Sequence, residues 1–199
     1  MKTMKRTIAL ALEDRSHEMV IGALLARIFS DEGHDLHDWE LVVLSDRGGG
    51  SLKHAYDFAK KCRDPGQACD LLVIASDANC STFAKKRKQI EGHLEEYAGR
   101  FALALPDPHI EHWLLLDPKA FQKGVGIPKG IALPQYKCDK NYYKTELNRL
   151  LQSNGIVPQF PGGIEFAPDI IRHLDMPLAC KDTSFNDFYT AVRACLKGV

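Results

Sequence analysis

Residues 71–75 (LLVIA) run directly into Ser76, Asp77, Ala78 and Asn79. Asp77 and Asn79 stand two apart, so if strand geometry persists their side chains share a face. That is one way to offer two oxygen ligands to a divalent metal ion. A second apolar run, residues 7–12, ends in Glu13 and Asp14, with Arg15, Ser16, His17 and Glu18 behind them. Two such turns at the same edge of a parallel sheet would bring their acids together. Oxygen ligands of this kind select Mg²⁺ or Mn²⁺. Those ions serve phosphoryl chemistry by clamping phosphate oxygens and acidifying an attacking water.

Other groups could assist. Asp46, Arg47 and the glycines 48–50 follow a third apolar run and could cradle a phosphate on backbone N–H groups, or form a simple flexible loop. The spacing is not that of a nucleotide P-loop, and no cofactor-binding motif is present. Lys85, Lys86, Arg87 and Lys88 form the densest basic run, just beyond Asp77. It reads either as a phosphate contact or as a solvated helix face. His109 and His112 lie at i and i+3 and share a helical face without the further ligands that zinc needs, so they read as a polar edge to the site. Glu165 and Asp169, at i and i+4, could bind metal or favour a helix dipole.

These residues need elements to hold them. The unbroken apolar run at 71–75 predicts a strand buried on both faces, and residues 7–12, 39–45 and 101–105 predict three further strands. Between them, Val20, Leu24 and Ile28 recur at helical spacing behind Ser16 as a cap, residues 52–62 predict a second helix, and Ser81 or Thr82 opens a third that reaches about residue 97. The alternation predicts a parallel α/β sheet over residues 1–118. Residues 119–199 predict a helical extension packed on it, with helices at 141–151, after the glycines 162 and 163, and after a Ser184 cap. Ligands in such sheets bind at the carboxyl ends of the strands.

Formal net charge is zero and the pI is about 7.1. There is no global electrostatic footprint for nucleic acid, so such binding would use local patches or metal ions. Six cysteines show no C-x-x-C pattern. Without a signal peptide or a long apolar span, they predict reduced thiols in a cytoplasmic protein that does not enter a membrane.

Glu13 after the first strand, with Asp77-x-Asn79 after the third, resembles the Glu and Asp-x-Asp motifs of the Toprim fold. The phrases ALEDRSHE, IASDANC, PDPHIEHWLLLD and GGIEFAPDI further resemble a Toprim-like family similar to the nuclease part of OLD-type proteins, often encoded beside an ABC-type ATPase. The resemblance implies a four-stranded Toprim-like sheet and metal-dependent cleavage of DNA or RNA in a bacterial anti-phage defence system. It implies an ABC-type or AAA-type ATPase partner, with room for a homo-oligomer in the complex. Carried over by position, Glu13 and Asp77 bind the metal, Asn79 assists as an uncharged ligand where the family has Asp, and Asp14 replaces the missing charge. Glu18 and Glu111 become additional acids, Glu111 within a P-x-x-E-x-W stretch, so that Glu13, Asp77, Asn79 and Glu111 form the catalytic set. Lys137, Lys140 and Lys144 could contact a nucleic-acid backbone or only dress a helix. His17 and His109 could donate to a phosphate or be ordinary surface or core histidines. The alternative is a catalytically weak Toprim module that binds nucleic acid or the ATPase complex structurally. A small-molecule phosphohydrolase on a similar sheet is a third reading, because the same metal chemistry serves it.

Overall fold

The computed structural model describes residues 5–44, 51–64, 68–79, 81–128, 130–132, 134–139 and 141–197. Lys140 and the glycine loop at 46–51, which reads as a phosphate cradle or a simple loop, lie outside them, apart from the backbone of Ser51. The strands are β1 (Arg6–Leu12), β2 (Trp39–Val43), β3 (Leu71–Ala75) and β4 (Phe101–Ala104). They form one sheet in the order β2-β1-β3-β4, with every neighbouring pair parallel. The central pair is in register from Ile8 opposite Leu71 to Leu12 opposite Ala75.

Strand alternation sends side chains to two separate cores. Ile8, Leu10, Leu12, Leu71, Val73, Ala75, Ala102 and Ala104 face helix α1 (Arg15–Asp31) and the helices that follow residue 118. Ala9, Ala11, Leu72, Ile74 and Leu103 face α2 (Ser51–Lys61) and the residues of α3 (Phe83–His93) and its continuation, Ile90, Leu94 and Tyr97. The third helix is shorter than expected, closing at His93. Strand β2 is an edge and stays open to solvent at Leu41, Val42 and Val43.

The sheet order has a functional consequence. From β1 the chain leaves through α1 on one face toward β2, whereas from β3 it leaves through α3 on the other face toward β4. Neighbouring strands whose connections depart in opposite directions open a crevice beyond their carboxyl ends, the usual ligand position of a doubly wound sheet. Here that switch point lies between β1 and β3.

The remaining helices are α4 (Ile110–Trp113), α5 (Pro118–Val125), α6 (Tyr142–Gln152), α7 (Ala167–Arg172), α8 (Met176–Ala179) and α9 (Thr183–Lys197). They contribute to the same core as α1. Gly124 in α5 lies so close to α7 that a β-carbon there would come within 2.5 Å of the Ile170 backbone. Arg27 of α1 donates to the Ile171 and Arg172 carbonyls at 3.1 and 2.7 Å, clasping α7. Trp113 packs edge-on against Phe185 of α9 and donates through Nε1 to the buried Ser184 hydroxyl at 3.0 Å. The cap of α9 is therefore not Ser184. Asp182 accepts from the Phe185 N–H, and Ser184 is occupied with Trp113 and Asp182. Among the described residues no helix is long and apolar enough to cross a membrane.

The thiol expectation needs correction at one position. Cys62, Cys69, Cys180 and Cys195 are free, but Cys138 is disulfide-bonded.

Candidate active site at the β1/β3 switch point

Glu13 and Asp77 follow the two central strands. One Glu13 oxygen, Oε2, accepts from the Ser76 hydroxyl at 2.8 Å and from the Asp77 backbone N–H at 3.1 Å. The acid after β1 is thus tied to the turn after β3. The buried Ser76, which the sequence reading passed over, orients it.

Asp14 is the N-cap of α1, in place of the expected Ser16, and its Oδ1 accepts from the His17 N–H at 3.0 Å. The same oxygen lies 2.9 Å from His17 Nδ1. A carboxylate can only accept, so Nδ1 carries a proton and Asp14 fixes the ring. His17 is 1% exposed, and its Nε2 points inward to 3.2 Å from Asp77 Oδ1. The approach is off the hydrogen-bonding direction, and Nε2 has no hydrogen-bond partner. Asp77 Oδ1 instead accepts from the Ile110 N–H at 2.9 Å, and its Oδ2 lies 3.1 Å from His109 Nδ1. His109 Nε2 is also buried and unpartnered.

Charge alternates along this chain of contacts. For Asp77, burial is the largest influence and opposes ionisation, but His109 and His17 outweigh it and pull its pKa to about 2. Burial likewise opposes charging His17, yet the Asp14 and Asp77 carboxylates together raise it to about 9. His109 is raised by its contact with Asp77, and Asp14 is lowered by its bond to His17.

The other expected residues are dispersed differently. Asn79 does not share a face with Asp77. The strand ends at Ala75, Asn79 takes a left-handed backbone with φ 49°, and its exposed amide turns back to the Asp77 carbonyl at 3.4 Å. Glu111 is buried and stands 3.5 Å from Lys144 Nζ, with Gly162 packed behind both. Glu18 is exposed in the first turn of α1 and makes no ion pair among the described residues. His112 is engaged elsewhere, its Nδ1 2.9 Å from the Asp107 carbonyl and its ring against Tyr143.

Within the basic run, Arg87 is committed to Glu91 and Asp187, while Lys85 and Lys88 are exposed and Lys86 is partly covered. Lys137 pairs with Asp139 at 3.2 Å and lies over the Tyr142 ring. Glu165 accepts from the Gln159 N–H and Asp169 pairs with Arg172, so those two acids serve separate partners.

Among the described residues no group of three or more His, Cys, Asp or Glu side chains is assembled to hold a metal ion. Two donors do meet, His17 Nε2 and Asp77 Oδ1, and the Glu13 carboxylate is anchored to the next backbone N–H. Mg²⁺ and similar ions are commonly held by one or two carboxylates, with water and substrate oxygens completing the shell. The orphaned, buried imidazole nitrogen beside a carboxylate fits a cation in this crevice.

Sequence reasoning missed the central place of His17. With Asp14 recognised as the cap, His17 falls at the third helical position, where a side chain reaches back to the cap. No family model, no curated protein and no solved structure matches the chain.

Proposed function

We propose that the chain is a Toprim-like nuclease that hydrolyses phosphodiesters with Mg²⁺ or Mn²⁺, as the effector of an ATPase-partnered bacterial anti-phage defence system. One observation carries the reading: Glu13 and Asp77 are tied together at the switch point of a parallel sheet. The order of motifs supports it further, with Glu following β1 and Asp-x-Asn following β3. The ATPase and the defence setting rest on the sequence resemblance alone.

Glu13 and Asp77 would hold the ion, with His17 beside them. A bound divalent ion would supply Lewis acidity at a phosphate oxygen and lower the pKa of a water. Ser76 and the Asp77 N–H hold the Glu13 carboxylate at the end of β3. His109 is held against Asp77 through Nδ1, with its Nε2 buried, and Lys144 adds a partly exposed positive charge beside Glu111. Lys85, Lys86 and Lys88 remain available to a nucleic-acid backbone, whereas Arg87 is committed to its carboxylates.

A second reading, a catalytically weak module that binds nucleic acid or the ATPase complex, is favoured by the Asp77 contacts. Both of its oxygens already have protein partners, and Asn79 is turned away.

The test is to incubate the protein, with and without an ABC-type ATPase of the kind the resemblance implies, with DNA or RNA and Mg²⁺ or Mn²⁺. Cleavage is expected to fall at least a hundredfold in Glu13→Gln and Asp77→Ala. Cleavage that survives both substitutions would overturn the site. No cleavage in any combination, with the complex intact, would favour the binding module.

A further inference from the structure

We propose that the ion at the β1/β3 crevice has nitrogen in its shell, supplied by His17 Nε2, and that the site consequently prefers a first-row transition ion such as Mn²⁺ to Mg²⁺. The inference rests on the metal-site reading above and specifies which ion that site takes.

His17 is 1% exposed, yet its Nε2 has no hydrogen-bond partner. Burying a polar nitrogen without a partner is costly, and proteins rarely leave one so placed. The nearest acceptor, Asp77 Oδ1, is 3.2 Å away but off the hydrogen-bonding direction. Two donor atoms about 3 Å apart that do not bond to each other have the spacing of adjacent ligands on one ion. Metal–ligand distances of about 2.0–2.2 Å at a right angle give that separation.

The other ring nitrogen carries the companion feature. Histidines that ligate metals commonly donate their second N–H to a carboxylate, which fixes the tautomer and strengthens the ligand. Asp14 Oδ1 stands 2.9 Å from His17 Nδ1 and also accepts the His17 backbone N–H at 3.0 Å. That oxygen is used twice to hold His17, so Asp14 acts as a positioning residue, not as the replacement ligand that the resemblance implied.

His17 has little freedom to turn away, being held at the start of α1 above the buried Val20 and Ile21. Imidazole is a favourable ligand for first-row transition ions, whereas Mg²⁺ strongly prefers oxygen. The nitrogen at this position would therefore discriminate between the two.

Pulsed electron paramagnetic resonance on the full chain loaded with Mn²⁺ tests the assignment. Bound Mn²⁺ should show ¹⁴N modulation from a coordinated imidazole, and His17→Gln should abolish it. Asp14→Asn should keep the modulation and weaken Mn²⁺ binding about 10- to 100-fold, with a smaller change for Mg²⁺. Circular dichroism checks that each variant is folded. If His17→Gln does not fold, the wild-type modulation and the Asp14→Asn affinity decide the matter.

Mn²⁺ bound without ¹⁴N modulation would overturn the nitrogen ligand, and cleavage by that form would leave the nuclease reading standing. Modulation without cleavage of DNA or RNA would support the ligand and remove the nuclease reading. No binding of Mn²⁺ or Mg²⁺ would overturn both.

Discussion

His17 and Asp77 hold their charges for opposite reasons of pH. The folded His17 keeps its second proton up to about pH 9, against an ordinary value of 6.5. Its contacts therefore contribute fully below about pH 6.5 and are lost as pH rises through 9. Asp77 runs the other way, contributing above its ordinary 3.8 and losing that contribution as pH falls toward about 2. His17 owes its shift first to Asp14 and then to Asp77, and Asp77 owes its own first to His109 and then to His17, so the two share part of one cause and do not simply add. The His17 shift corresponds to roughly 3 kcal/mol. Urea unfolding in the presence of a chelator should show stability falling by about that amount between pH 6.5 and 9. His17→Gln should flatten that limb. An unchanged alkaline limb in the variant would show that the loss arises elsewhere.

At the scale of elements, close packing separates positions that look equivalent in the sequence. Gly124 and Gly126 are two apart, but Gly124 meets the α7 backbone while Gly126 faces open space with a left-handed φ of 78°. Gly124→Ala must push two helices apart and should cost about 1–3 kcal/mol. Gly126→Ala pays only backbone strain, about 1–2 kcal/mol. Comparison of their denaturant midpoints, with the larger drop expected for Gly124→Ala, checks the α5–α7 approach.

The legibility of the sequence divides along similar lines. Strand β3 was readable because residues 71–75 are apolar at every position and end abruptly in polar residues, whereas β2 carries Glu40 and an exposed edge. Helix starts were harder, since Asp14 and Ser16, or Asp182 and Ser184, are equally good caps, and only the bond formed decides between them. Glu13 and Asp77 stood out by their position after buried strands. Asn79 misled because the alternation that would align it with Asp77 stops at Ala75. His109 was visible only as a polar residue near a short helix, because its contact with Asp77 spans 32 residues and leaves no local pattern.

The molecule as a whole divides its labour unevenly between the two sheet faces. One is covered by α2 and α3, whereas the other needs α1 together with helices from the far end of the chain. Arg27 and Trp113 are cross-links between those parts, through α7 and α9. Deleting residues 183–199 would uncover Trp113 and the sheet face carrying Ala102 and Ala104. The shortened chain is expected to lose soluble yield and near-ultraviolet circular dichroism. A soluble, sharply melting product would show that α9 is dispensable.

The seating of α4 on α9 also bears on when the site can form. Ile110 and His109, which hold the Asp77 carboxylate, sit at the start of the short helix whose Trp113 rests on Phe185 and Phe188. A ribosome makes the chain from the amino end, at about 5–20 residues per second. The strands bearing Glu13 and Asp77 emerge first, but the support for their neighbours arrives with the last helix. A growing chain therefore carries the acids before it carries the arrangement that aims them.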